Sequence, residues 1–116
     1  MLNAAGKLIG DFTIAHAGEN RFLLWGSSQA QKHHLRWFEK HLPDDGSVVL
    51  EVVTSGRVCF GVWGPRARDL LGPLTTDDVS DAALPFLTPR PITIGRVPVF
   101  AVRVTYVGEP GWELYS

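Results

Sequence analysis

The chain has 116 residues, of which 45 % are hydrophobic and 10 % aromatic, enough apolar material for a real core and too much for a disordered segment. Eleven Lys and Arg against twelve Asp and Glu leave a net charge of −1, and no block of either sign makes a nucleic-acid footprint or an anionic-membrane surface. Cys59 is alone, so no disulfide can form within the chain, and a lone thiol suits a reducing, cytoplasmic setting. No apolar run is long enough to span a bilayer, and the first residues lack a basic-then-apolar leader pattern, so the chain reads as soluble and unprocessed.

In chain order, residues 8–15 (LIGDFTIA) alternate as a strand, with Leu8, Gly10, Phe12 and Ile14 on one face. The turn-rich HAGEN and the returning RFLLWG complete a hairpin. Residues 29–42 (QAQKHHLRWFEKHL) form the clearest helix, with Leu35, Phe38 and Leu42 inside an arc of about 60°. Two β-rich runs follow, VVLEVVT and RVCFGVW, separated at Ser55 and Gly56. GPRARDLL is a second, short helix with Gly64 as cap and Pro65 at its first position. After a turn-rich connector, PITIG and VPVFAVRVTYV read as a hairpin that puts Phe100, Val102, Val104 and Tyr106 on one face. A last strand runs through WELYS. The order β-β-α-β-β-α-β-β-β is an α+β pattern, mainly antiparallel with two helices, and residues 1–116 form a single, partial domain.

Most familiar chemistry finds no handle. The four histidines, His16, His33, His34 and His41, have no second cluster to complete a zinc site, so no metal is expected. Ser27 and Ser28 stand in no nucleophile elbow, and GPRARDLL lacks the glycines and the Lys-Ser/Thr of a phosphate loop. The closing YVGEPGWELYS is different. Pro110 and Gly111 fit the central positions of a type II turn, and the proline restrains Glu109 to an extended backbone. A restrained carboxylate can accept two parallel hydrogen bonds from an amidine-like edge, such as the 2-aminopyrimidinone edge of a pterin. A turn glutamate chosen for solubility is the plain alternative.

Together, MLNAAGKLIGDFTI, FLLWGSSQAQKHHLRWF, GVWGPRARDLLGPLTTDDVSDAALPF and VRVTYVGEPGWELY resemble the folate-binding domain of the aminomethyltransferase (glycine cleavage T-protein) family. The dehydrogenase branch, which binds tetrahydrofolate beside dimethylglycine or sarcosine oxidation, is the more similar in HHLRW and LTTDDVSDAALPF. The Tyr-x-Gly-Glu-x-Gly-aromatic-Glu pattern at residues 106–113 is the most specific match. The resemblance implies an interwoven α+β domain with tetrahydrofolate in a central pocket. It implies Glu109 on the pterin edge, Tyr106 and Trp112 packing the ring, and Asn3 of MLN nearby; Glu113, one strand step beyond the turn, is expected to contribute much less. It also implies further domains of a longer chain.

Three departures bear on chemistry. Where T-proteins show two consecutive aspartates, this chain has Gly10 and then Asp11, and adjacent strand residues face opposite ways, so Asp11 is a catalytic candidate with a geometrical objection. Ser27 replaces an asparagine, and the chain is short for the family. An aspartate put back at position 10 is expected to leave folding intact and change turnover. The expected function is therefore the folate-binding portion of a one-carbon transferase or of a dimethylglycine/sarcosine-type dehydrogenase. The alternative is a non-catalytic folate-binding or interaction module. An iron–sulfur-maintenance relative is disfavoured by Thr105 and Pro110. Copies, or other domains, are expected to pair through sheet edges left open by the first and last strands.

Overall fold

The computed structural model describes all 116 residues. Its elements are β1 (Thr13–Gly18), β2 (Arg21–Trp25), α1 (Gln31–His41), β3 (Cys59–Trp63), α2 (Ala67–Leu71), β4 (Arg90–Ile94), β5 (Val97–Arg103) and β6 (Gly111–Tyr115). The class is α+β, with two helices, and every strand ladder is antiparallel. The chain divides into two compact units, Met1–Val52 and Val53–Ser116.

In the first unit β1 and β2 form a two-stranded hairpin in which Ile14 pairs with Leu24 and His16 with Phe22. The strand predicted over residues 8–15 is cut back to Thr13. Upstream, Leu2 bridges Leu8, and the Met1 nitrogen donates to the Gly10 carbonyl at 2.8 Å, so this stretch turns on itself rather than extending β1. The buried His34 of α1 ties the unit together: its Nε2 lies 3.1 Å from the Ile9 carbonyl and its ring meets Phe12 edge-on at 4.7 Å. Phe12 in turn meets Phe38 at 5.4 Å, so the apolar stripe expected on the helix packs onto the residues before β1.

In the second unit the sheet order is β3-β6-β5-β4. Alternation assigns the faces. Val62, Trp112, Leu114, Ala101, Val99 and Ile92 share one side, where α2 contributes Ala67 and Leu71 and the connector contributes Val79 and Leu84 to a continuous core. Cys59, Gly61, Trp63, Gly111, Glu113, Tyr115, Val102 and Phe100 share the other. Helix α2 begins later than expected, with Arg66 at its cap position, while the Gly64 carbonyl accepts from the Ala67 nitrogen.

Three further expectations are corrected. Residues 48–53 form no strand, because no neighbouring strand pairs with them; Val49 is 87 % exposed. The type II turn is not at Pro110-Gly111: Gly111 already opens β6 opposite Trp63, and the positive φ of +81° falls at Gly108, inside a bend over residues 106–109. Finally, β6 is an interior strand, hydrogen-bonded on both sides, so the open edges of this sheet are β3 and β4 rather than the last strand.

Candidate functional site

The site is built by the alternation of β6. Gly111, Glu113 and Tyr115 point to one face, Trp112 and Leu114 to the core, and register brings Gly61 and Val102 to either side of Glu113. After β5 the chain makes one more ladder bond, from the Val104 nitrogen to the Gly111 carbonyl, and then bends. The bend carries Tyr106 back over the Glu113 face.

There the Tyr106 hydroxyl donates to Glu113 Oε1 at 3.1 Å, and the Tyr115 hydroxyl donates to Oε2 at 2.5 Å. Each oxygen of an ionised carboxylate has two acceptor directions, so one remains at each oxygen of Glu113. The two phenols fix the orientation of the carboxylate and leave it able to receive a planar pair of donors. Burial first, and then the hydrogen bond and charge of Glu113, push the Tyr115 phenol above its ordinary range. It therefore stays protonated and keeps donating at neutral pH. Partial burial likewise pushes the Cys59 thiol up, against a hydrogen bond to Tyr115. At the upper end of the face, the Trp63 and Tyr106 rings meet edge-on, 5.9 Å apart and inclined at 78°.

The residues singled out from the sequence are dispersed. Tyr106 is brought to Glu113, but Glu109 lies exposed on the bend with no side-chain partner. Trp112 is fully buried on the opposite face of β6, with Arg68 5.6 Å from its ring centre and its indole N–H without a partner. The physical reason is the strand period: residues 112 and 113 cannot face the same side. Arg68 also pairs with Asp81, which accepts from Arg103 at 2.9 Å.

Asp11, Asn3 and Ser27 belong to the first unit. Asp11 is exposed and precedes β1. Asn3 is a loop organiser, its Oδ1 accepting from the Ala5 and Lys7 nitrogens at 3.0 and 2.9 Å. It borders an open concavity of about 410 Å³ that Leu2, Ile9, Trp37 and His41 also line. Ser27 is exposed and makes no side-chain cap before the 3₁₀ turn Ser28–Ala30. Gly10 is buried, and a Cβ there would stand 2.8 Å from the Phe12 ring and 2.9 Å from His34 Nε2. An aspartate at position 10 would have to move these side-chain ends.

Tyr115 and Trp63 were not singled out from the sequence. That Glu113 and Tyr115 are two apart on a strand was legible there, whereas the pairing of β3 with β6 that sets Trp63 opposite a glycine was not.

This geometry sits in a chain with clear relatives. The family model described as GCVT N-terminal domain matches residues 1–116. The chain belongs to the GCVT N-terminal domain family. It is 37 % identical over 116 residues to Homo sapiens "Dimethylglycine dehydrogenase, mitochondrial", covering 99 % of this chain and 13 % of that protein. It is 29 % identical over 115 residues to the aminomethyltransferase of Shouchella clausii, covering 99 % of this chain and 30 % of that one. With "4-methylaminobutanoate oxidase (formaldehyde-forming)" of Paenarthrobacter nicotinovorans the identity is 31 % over 105 residues, covering 90 % of this chain and 13 % of the relative. The chain thus spans 13 % to 30 % of the length of these relatives. No helix is long and apolar enough to cross a membrane.

Proposed function

We propose that this GCVT N-terminal domain is the tetrahydrofolate-binding portion of a one-carbon (aminomethyl or methylene) transferase or of a dimethylglycine/sarcosine-type dehydrogenase. The observation that carries the reading is the Glu113 carboxylate, fixed by two tyrosyl hydroxyls with one acceptor direction left on each oxygen. That is the acceptor pair a pterin's amidine-like edge requires, in a chain matched along its whole length by the family. The residues fit the group.

Tetrahydrofolate would supply the nucleophilic nitrogen that takes up the one-carbon unit. Glu113 orients the ring by its edge, and Tyr106 and Tyr115 hold Glu113. As a separate proposal within the first unit, Asp11, solvent-accessible ahead of β1, is a candidate carboxylate for the proton on a reacting nitrogen. Asn3 contributes through the loop it shapes, since its amide oxygen is already used twice, and Ser27 offers a hydroxyl with no cap bond to give up. Most of the rate gain in such a reaction comes from positioning.

A second reading has its own support. The glycine at position 10, where side-chain ends of Phe12, His34 and Met1 stand within 3.0 Å of a Cβ, favours a non-catalytic folate-binding or interaction module. The two separate by assay: both bind tetrahydrofolate, and only the first turns over a one-carbon donor. For partners we infer other domains of a longer chain, or a second copy at the open edges β3 and β4; light scattering of the full-length protein distinguishes the two. A cytoplasmic site rests on the lone thiol, against relatives whose names say mitochondrial, and fractionation decides it.

Calorimetric titration of the full-length protein with tetrahydrofolate tests the site. Glu113→Gln should lose about 1.5 to 3 kcal/mol, the worth of a charge-assisted hydrogen bond. Glu109→Gln should lose less than about 0.5 kcal/mol. The reverse ranking would move the role to Glu109, and no binding by the unaltered protein would overturn the folate reading.

A further inference from the structure

Trp63 is 44 % exposed at the end of β3, yet two glycines have been given up to seat it. A Cβ at Gly111 would stand 1.9 Å from the indole Cδ1, and a Cβ at Gly61 would stand 1.9 Å from Cη2. Neither glycine has a positive φ, so both are required for closeness and not for backbone freedom. The indole is therefore laid along the β3–β6 pair, its five-membered ring over Gly111 and its benzo ring over Gly61. Gly61 is the register partner of Glu113, so the benzo ring lies on the same face of the sheet, over the position opposite Glu113. Tyr106 stands edge-on to the same indole while its hydroxyl holds Glu113.

Covering glycine backbone on an edge strand accounts for an aromatic ring at position 63, yet it leaves this indole 44 % exposed. A flat aromatic surface, held down, half open to solvent and bordered by a carboxylate, is suited to a flat ligand. We propose that Trp63 is a ligand-stacking residue: its indole, seated on Gly61 and Gly111, is the wall on which a planar heterocycle lies while Glu113 reads that heterocycle's amidine-like edge. This rests on the folate reading above and narrows it, because the ring system and not the tail of the ligand is what Trp63 recognises.

The test uses the full-length protein, calorimetry with tetrahydrofolate, and the pair Trp63→Phe and Trp63→Leu. Both variants keep an apolar cover over the glycines, and only phenylalanine keeps a stacking face. Trp63→Leu should weaken binding roughly tenfold or more and Trp63→Phe less than about threefold, the range that aromatic stacking on a base commands. Equal affinities for Trp63→Leu and the unaltered protein, or equal losses in both variants, overturn the proposal. A Glu113→Gln arm separates the failures: weak binding there beside normal binding in Trp63→Leu removes Trp63 and leaves the folate reading standing. No binding by the unaltered protein removes both. A measurement without substitution guards against misfolded variants. With 5-fluorotryptophan incorporated, the Trp63 resonance should shift on adding tetrahydrofolate and stay unmoved on adding p-aminobenzoylglutamate, which lacks the ring system; an unmoved resonance with tetrahydrofolate overturns the proposal.

Discussion

The two units of this chain solve the same problem with different means. Of the buried hydrophobic residues, only Ala15 belongs to Met1–Val52; the rest, from Ala67 to Tyr115, belong to Val53–Ser116. In the second unit four strands share one face with α2, and burial is continuous. In the first, a two-stranded hairpin leaves Ile14, Phe22 and Leu24 exposed, and order comes from point contacts: His34 on Ile9 and Phe12, the Asn3 loop, and Trp37 stacked on His41 at 4.0 Å. Isolated two-stranded hairpins are marginal in water. The difference teaches that a fixed carboxylate needs a sheet with neighbours on both sides, and the Glu113 site lies where that sheet is.

The strongest way to break this comparison is a pair of truncations. Leu84→Ala, at a residue only 1 % exposed, should lower the unfolding free energy by about 3 kcal/mol. Ile14→Ala, 62 % exposed, should change it by less than about 0.5 kcal/mol in chemical denaturation. Comparable losses would show that the first unit has a core of its own kind. Next in size is Gly10→Asp, expected to cost about 2 kcal/mol by crowding Phe12, His34 and Met1 and by burying a carboxylate. Amide exchange should accelerate within residues 1–52; unchanged protection there would mean the pocket around Gly10 yields freely. Asn3→Ala, which strips two backbone donors of their acceptor, should cost about 1 kcal/mol and loosen the Leu2–Leu8 bridge, seen as faster exchange at Lys7.

The smallest effect sharpens the second unit. Because the Tyr115 phenol is held above its ordinary value, the folded chain keeps this proton after the unfolded chain has lost it. Its contribution is complete below about pH 10 and falls as pH rises beyond, since the unfolded state then binds fewer protons. Tyr115→Phe should flatten the alkaline limb of a stability–pH curve and leave the neutral region less affected; an unaltered limb would place Tyr115 in open water.

Much of this was legible where local pattern and tertiary demand agree. The stripe Leu35, Phe38 and Leu42 announced α1, and alternation announced β4, β5 and the face of Val102 and Val104. Tyr106 does reach that face, but through a bend after Val104 rather than through a longer strand. Residues 48–53 misled because β-propensity expresses fit to a partner strand, and none pairs with them. The glycines misled for a related reason. Gly108 and Gly111 look alike in VGEPG, yet one supplies a positive φ and the other the floor beneath Trp63, and only the register of β3 on β6 tells them apart. That same register sets Glu113 on the face of Trp63 and Tyr115.

The interior place of β6 has a consequence for how the molecule comes into being. β4 and β5 are neighbours in sequence and can zip as a hairpin on their own, whereas β3 joins the sheet only through β6, which lies between it and β5. During synthesis β3 must therefore wait, unpaired, until β6 has emerged. Closing that long separation late is the slow kind of step in assembling a sheet. The interval in which a growing chain is most open to sticking to its neighbours ends with the arrival of the strand that carries Glu113.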